Sequence, residues 1–499
     1  MSAGFREGVQ RFDFFSRKAS TPVVQIGFID AIRDRTIAGW VYDSSVDGPC
    51  TIEISFRGTS VGHVRADRFR ADIRAAGYGD GHAGFSLELD EASWSSVASI
   101  FGLSAKVVET GFTLTNAVEM DSRKQVERNQ NSVIRGFPDV DLAFSERAPN
   151  ERDEAIAAEI IDLSSRMSGD ALDANSIWGG LSEGHKQFQQ LIGARDPKGL
   201  AAKLIDLPKL DAGFGYMQGR ETYEAFRAAD RDGLVMPLTL IKDGLVSIAQ
   251  YLGLERIECA EQGEFGAAIH FDTDKLVDRI SHAVGFDIVP PDVFDGLFGL
   301  KVDRGILTDR DVQALYAAHR LVSTAGSGAT VCEIGGGVGR AAFYGHRLGA
   351  RRYTMVDLSS MLVFQYFFLR SALPDATVKM VTDPGEPQDA DFNLVPAQMF
   401  ASLGPQWRFD AVLNCDSFPE MGEAVCDGYL SALRARTNAL VSINQEARGP
   451  LTRDGAGPRQ VPVAEVMAKR SDYDRRYRFR TWVRQGYVEE LYSPMTATR

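Results

Sequence analysis

Cysteine is scarce in this chain and never paired in spacing. Cys50, Cys259, Cys332, Cys415 and Cys426 stand alone among 499 residues, with no C-x-x-C pattern. A disulfide framework or a structural zinc site therefore has no evident ligands, no metal is expected, and a reducing cytoplasm is the expected home. Long apolar runs are also missing. The most apolar helical stretch, Met361–Leu369, is too short to cross a bilayer and is interrupted by Gln365. No membrane span is expected, although a peripheral station at the inner membrane is compatible with this. The opening MSAGFREGVQRFDFFSRKAS lacks the apolar centre of a signal peptide. Basic charge is in deficit: 55 Lys and Arg stand against 68 Asp and Glu, a formal net charge of −13. A nucleic-acid partner, which needs a basic face, is not expected. Low-complexity segments and clear repeats are absent.

What is present starts with size. The chain has room for two to four domains of roughly 100–200 residues each. Its 44% hydrophobic and 25% charged residues are ordinary for a globular protein. The most informative stretch is Ala329 to Leu358, ATVCEIGGGVGRAAFYGHRLGARRYTMVDL. It reads as strand, glycine turn, helix and strand, with a carboxylate at the carboxyl end of each strand. Ala329–Ile334 is a short β-prone run suited to a parallel sheet. Gly335, Gly336, Gly337 and Gly339 follow, where bare backbone lets a ligand approach closely. Arg340 to Leu348 reads as a helix stopped by Gly349, and Tyr353–Val356 as the next strand. Asp357 ends that strand, eighteen residues beyond Gly339. A glycine turn at a helix N-terminus offers free N–H groups, and an acid on the second strand can accept both hydroxyls of a ribose. This arrangement predicts a nucleotide-like ligand.

The dinucleotide fingerprint G-x-G-x-x-G is not met, because Arg340 occupies the slot of its last glycine. Instead Glu333 precedes a Gly335-x-Gly337-x-Gly339 pattern. The form E-x-G-x-G-x-G resembles motif I of S-adenosylmethionine-dependent methyltransferases. By that resemblance Glu333 supports the loop and the methionine end of the cofactor, and Asp357 holds its ribose. A doubly wound domain that binds another nucleotide, or none, is the alternative.

Along the chain, residues 1–22 read as a loose lead-in. Residues 23–118 alternate short apolar runs with Gly and Asp turns, which suggests a small β-sandwich or barrel. The run GFIDAIRDRTIAGWVYD with VRADRFRADIRAAGYGDGHAGFSLEL resembles a β-module attached to bacterial polysaccharide-processing proteins, glycosyltransferases included. Trp40 within it either stacks on a sugar face or fills the core of the module. The polar residues 119–150 read as a linker. Residues 151–325 turn helical, with apolar residues at i, i+3 and i+4 and caps at Thr273 and Thr308, and are expected to cover the crevice of the sheet domain, 326–499. The αβ alternation there continues with the helix after Asp357, a third strand ATVKMVTD ending at Asp383, a fourth strand RFDAVLNCDSF and a fifth strand TNALVSINQEA. Residues 477–493 close it as a hairpin. Asp383 is expected near the adenine amino group, with Phe392–Pro396 beyond it on the same side. Solvation of Asp383 in its turn is the alternative.

Ligands in open α/β sheets lie outside the carboxyl ends of the strands. Catalysis is therefore expected at Asn414 to Met421. A hydroxyl acceptor needs an aligned attack and a base. Asp416 or Glu420 could serve, and His319, His346 or His185 could approach from the helical layer. Asp416 as a helix cap is the competing role.

EIGGGVGR, YTMVDLSSML, FDAVLNCDSFPEM and SINQEAR together resemble a bacterial family of sugar O-methyltransferases over roughly residues 230–490. The resemblance implies an α/β, Rossmann-like class I methyltransferase domain with a helical layer, preceded here by the small all-β module, and seven strands in its sheet. It implies S-adenosyl-L-methionine as cofactor, held by Glu333, Gly335, Gly337, Gly339 and Asp357; Gly336, Arg340, Leu358, Asp383 and Asn414 complete the candidate cofactor-binding set. The candidate catalytic set, read from the residues, is Asp416, Glu420 and His319, and of these Glu420 falls on the family's fourth-strand motif with Asn414, Ser417 and Met421. The implied substrate is a sugar hydroxyl on a polysaccharide, O-antigen or nucleotide-sugar intermediate, with a glycosyltransferase as a possible partner of the β-module and an oligomer compatible with the rest. Ser359 departs from the family, which commonly carries proline there. Two other classes remain at this point: a non-catalytic scaffold that binds glycan or a glycosyltransferase, and a methyltransferase for an amine or a small secondary metabolite.

Overall fold

A computed structural model describes residues 23–33, 35–56, 58–96, 103–118, 138–166, 181–213, 215–259, 266–451 and 459–495. The expected lead-in 1–22 and residues 119–137 of the expected linker lie outside the described residues. The chain forms two compact units, Met1–Val133 and Ile134–Arg499.

The first unit is built from β1 (Gln25–Arg33), β2 (Thr36–Asp43), β3 (Thr51–Phe56), β4 (Thr59–Arg65), β5 (Arg68–Phe69), β6 (His82–Glu88), β7 (Leu103–Val107) and β8 (Thr115–Asn116). They pair into a five-stranded sheet, β5-β6-β2-β1-β8, and a three-stranded sheet, β4-β3-β7. Successive side chains on a strand point to opposite faces. Ile29, Ile37, Val41 and Phe85 of the larger sheet thus share a core with Ile52, Ile54, Leu103 and Val107 of the smaller one. Trp40 is not in that core. It stands on the other face of the larger sheet, half-buried, so of its two expected roles core filling is the one the packing contradicts. The reason is register: Trp40 is out of phase with its core-facing neighbours Gly39 and Val41.

In the second unit β9 (Leu142–Phe144), β10 (Phe298–Val302) and β11 (Gly305–Leu307) form a small sheet, β11-β10-β9. Residues 142–144 were expected within a linker, and 298–307 within a purely helical stretch; pairing of β9 with β10 overrides both local readings. Helices dominate the rest of that stretch, at Glu151–Ser164, Leu181–Gly193, Pro197–Ile205, Arg220–Ala228, Arg231–Tyr251, Thr273–Val284 and Asp309–Ala325. Asn150 and Thr308 each open a helix through a capping box with the acid three residues on, Asp153 and Asp311. The cap expected at Thr273 belongs instead to Asp272, whose carboxylate accepts from the Lys275 N–H at 2.9 Å.

The main sheet holds β12 (Thr330–Ile334), β13 (Arg352–Asp357), β14 (Val378–Met380), β15 (Phe392–Pro396), β16 (Ala411–Cys415), β17 (Leu440–Gln445), β18 (Tyr473–Arg480) and β19 (Tyr487–Pro494). Their order is β14-β15-β13-β12-β16-β17-β19-β18. The first six run parallel, and the β18–β19 hairpin adds antiparallel. One face packs Val331, Met355, Leu413 and Val441 against the helical region; the other packs Cys332, Val356, Val412 and Leu440 against a second core around Trp407. Burial on both faces explains the near-continuous apolar strand sequences. The sheet has eight strands where seven were expected. The extra one arises because Phe392–Pro396 is a strand inserted between β13 and β14, and Val378–Met380 becomes the edge.

Candidate functional site

The site grows from the carboxyl ends of β12, β13 and β16. After β12 the chain turns at Gly335, whose φ is +73° and whose N–H donates to the Val356 carbonyl at 2.9 Å. A β-carbon there would sit 2.3 Å from Ser417 Oγ, so only glycine fits. Gly337 also has a positive φ, +56°, and Tyr216 Cβ lies 3.2 Å from where a β-carbon would be. Gly339 then opens the helix Arg340–Arg347. The turn is forced close to both neighbours, and bare backbone is the only surface it can present.

Two acids flank it. Glu333 is 3% exposed and accepts a 2.9 Å hydrogen bond from the Tyr353 hydroxyl. Burial pushes its carboxyl up to about 7, opposed by the Tyr353 bond and helped by repulsion from Asp357. Asp357 ends β13. Its Oδ1 accepts from the Leu358 N–H and its Oδ2 from Gln365 Nε2, each at 2.8 Å. Gln365 also donates to the Gly337 carbonyl at 2.9 Å. One buried amide thus ties the acid to the glycine turn.

The end of β16 supplies the opposite wall. Asn414 is fully buried beneath the turn and donates to Ile334 O at 3.0 Å and to Ser417 Oγ. Asp416 takes a left-handed backbone, φ +68°, which aspartate tolerates better than most residues. Its carboxylate binds Arg484 Nη1 and the Tyr487 hydroxyl, both at 2.6 Å. The helix Phe418–Met421 has Ser417 at its N-cap position and no side-chain capping bond, so the capping role weighed for Asp416 is replaced by this pair. Glu420, half-buried, has its carboxyl pushed up to about 7 by burial and by Asp416, against the pull of Arg484 and Arg310.

These elements enclose a crevice of about 500 Å³. Its floor is Glu333, the glycine turn, Asp357 and Leu358; Ala397 closes one end, and Asp416, Ser417 and Glu420 the other. The helical region roofs it with Tyr216, Arg310 and Gln313. Tyr216 stacks on Phe364 with ring centroids 6.1 Å apart, and its hydroxyl is buried without a hydrogen-bond partner. Arg310 donates to the Gly215 carbonyl at 2.9 Å.

The crevice brings together Glu333, Gly335, Gly336, Gly337, Arg340, Asp357, Leu358, Asp416 and Glu420 from the expected set. Gly339 lies just behind as the helix opener. Arg340 reaches the crevice wall, but its guanidinium is drawn away to Asp311 in a buried ion pair. Asn414 is a support beneath the wall and not part of its lining. Two expected residues are corrected outright. His319 is not in the crevice. Arg310, Gln313, Ala314 and Ala317 line it with the spacing of one helix face, and His319 stands about two and a half turns past Arg310, on the opposite side. There Nδ1 meets the Tyr251 hydroxyl at 3.0 Å. Asp383 is exposed beyond the edge strand β14, bound to its own turn through the Gly385 N–H at 2.7 Å, because β15 takes the place beside β13. His185 and His346 pack on Phe364 and Phe392, centroids 5.2 Å away in each case. No histidine is among the described residues that line this crevice.

Gln365, Tyr216, Arg310 and Arg484 were not singled out from sequence. For Gln365 the signal was visible: it is the one polar residue within the run Met361–Leu369, where a buried amide must find partners.

No protein-family model and no curated protein matches this chain. Among solved structures, it is similar to a glycopeptide N-methyltransferase complexed with sinefungin, at 17% identity and a TM-score of 0.29, over 36% of this chain and 94% of that one. It is similar to the 1,6-didemethyltoxoflavin-N1-methyltransferase of Burkholderia thailandensis with S-adenosylhomocysteine bound, at 19% identity and a TM-score of 0.28, over 37% of this chain and 79% of that one. The CcbJ methyltransferase of Streptomyces caelestis matches at 15% identity and a TM-score of 0.28, over 37% and 90%.

Proposed function

We propose that this chain is an S-adenosylmethionine-dependent O-methyltransferase whose acceptor is a sugar hydroxyl. The observation that carries the reading is the joining of the glycine turn, Asp357 and Glu420 in one crevice. The residues present fit the cofactor. The turn is a cradle that a β-carbon at Gly335 would fill, and the Asp357 carboxylate lines the same crevice at the end of the neighbouring strand. The crevice volume lies within the range of small-molecule sites, roughly 300–1,000 Å³. Asp357 sets negative charge beside the place a cation would take.

The bound cofactor would supply an electrophilic methyl group on a sulfonium. The chain's own part is alignment and proton removal. Gly335, Gly337 and Asp357, the last steadied by Gln365, would hold the cofactor's nucleoside. Arg310, Gln313 and Glu420 offer donors and acceptors to a polyhydroxyl acceptor. Glu420 takes the acceptor proton on its carboxylate, since a carboxyl with pKa about 7 is a base matched to neutral pH. Asp416, with both oxygens bonded, holds Arg484 and keeps Glu420 basic. The resemblance of residues 230–490 to sugar O-methyltransferases supports the choice of acceptor.

Titration calorimetry with S-adenosylhomocysteine tests the binding half. Asp357→Ala should weaken binding by at least about tenfold, the loss of charge-assisted hydrogen bonds. No binding by the intact chain, or equal binding by the variant, defeats the reading. Methyl transfer to a panel of sugars and amines tests the acceptor: transfer to amines alone would replace the hydroxyl.

A further inference from the structure

We infer that the first unit carries a separate glycan-binding platform on the outer face of its five-stranded sheet, centred on Trp40. Cross-strand partners point to the same face of a sheet. Phe28 of β1 pairs with Trp40 of β2, and Trp40 with Gly84 of β6. None of the three belongs to the core between the two sheets. On that outer face Phe28 and Trp40 have ring centroids 5.5 Å apart, Tyr78 lies 5.7 Å from Trp40, and Tyr42 lies 5.6 Å from Tyr78. All four rings are half-buried. They form a continuous aromatic surface outside the core.

Beside it stands a fixed polar array. Arg70 Cγ lies 2.9 Å from where a β-carbon on Gly84 would be, so glycine there makes room for the arginine stem. The guanidinium binds Asp72 through Nε at 2.9 Å and Nη2 at 2.8 Å, and Asp30 through Nη1 at 2.9 Å. Gly84 is on β6 and Asp30 on β1, so Arg70 crosses β2 next to Trp40. Three of its five N–H groups are taken, which fixes the guanidinium, and the Arg70 and Asp30 side chains are each about one third exposed.

This is the chemistry that recognises a pyranose. The electron-rich face of an aromatic ring attracts the weakly positive C–H face of a sugar. Planar, pre-oriented donors and acceptors beside it exchange water for ring hydroxyls with little ordering cost. A protein partner would desolvate the Asp30–Arg70–Asp72 array, which is costly for ion pairs. Two acids to one base also disfavour a polyanion or an acidic lipid surface. The ligand class is therefore a neutral glycan. The site lies wholly in the first unit and stands independently of the methyltransferase reading.

Affinity electrophoresis of the full chain in native gels cast with dextran, xylan, galactomannan or laminarin tests it. The intact chain should be retarded in at least one gel. Trp40→Ala and Arg70→Met should each weaken retardation by roughly fivefold or more, and Trp40→Phe should restore most of it. Binding of S-adenosylhomocysteine should be equal in all variants, which separates this site from the crevice. If Trp40→Ala lowers the melting temperature, Trp40→Phe and Arg70→Met decide. Retardation in none of the four gels, or retardation unchanged in Arg70→Met and Trp40→Ala, overturns the inference.

Discussion

Gln365 Nε2 lies 2.8 Å from Asp357 Oδ2, in the middle of a helix whose other buried residues are almost all apolar. The same nitrogen reaches the Gly337 carbonyl at 2.9 Å. A buried polar group in such a helix is stabilising only when bonded, and here both bonds go to the crevice. Gln365→Met keeps helix propensity and volume while removing them. A hydrogen bond to a charged group contributes about 1.5–3 kcal/mol, so S-adenosylhomocysteine should bind about 10–100-fold more weakly by calorimetry. Equal affinity would show that Asp357 needs no steadying.

Glu420 sets a pH dependence. Its carboxyl is pushed up to about 7, and in the proposed reaction the base is its ionised form. Below that pH the rate of methyl transfer, as kcat/KM, should rise about tenfold per unit and then level off. Glu420→Gln should lose about 10²–10⁴ in rate and the rising limb with it. A full limb in the variant would assign the base elsewhere.

What could be read from the residues alone was whatever is encoded locally. The glycine turn, Glu333 before it and Asp357 after the next strand lie within one strand–helix–strand unit, so spacing alone puts them at one sheet edge. The same holds for Asp416 and Glu420, a few residues apart at the end of β16. Where tertiary placement decides, local reading fails. Phe392–Pro396 looks like any short apolar loop, and only its pairing with β13 displaces β14 and carries Asp383 away from the crevice. His319 fails because its helix offers the crevice a different face. Tyr216 and Arg484 reach the site from segments about 120 residues before and 130 residues after Glu333–Asp357, a distance that no periodicity reports.

Glu333 makes a stability prediction of definite sign. Its folded carboxyl is raised to about 7 from an ordinary value of 4.5. Between those pH values the unfolded chain has released the proton and the folded one has kept it. Stability contributed by this group is therefore full at low pH and falls as pH rises through 7. Glu333→Gln keeps an acceptor for the Tyr353 hydroxyl and cannot ionise. At pH 8 the variant should gain on the order of 3 kcal/mol relative to the natural chain, and at pH 5 less than about 1 kcal/mol. Urea unfolding at the two pH values measures this. An equal difference at both would mean that Glu333 is ionised in the folded state throughout.

Asp416 should govern where the catalytic limb falls. Its charge is one of the two causes that raise Glu420, and it holds Arg484 at 2.6 Å. Asp416→Asn removes the negative neighbour and leaves the Arg484 charge free to act on Glu420. Both changes favour the carboxylate, so the Glu420 pKa should drop and the rising limb of kcat/KM should move below 7. Asparagine also tolerates the left-handed backbone at φ +68°, so the turn keeps its shape. Asp416→Ala would add a cost of roughly 1–2 kcal/mol for that conformation and is the poorer probe. A limb that stays in place, or moves to higher pH, would show that the titrating base does not feel Asp416 and is not Glu420.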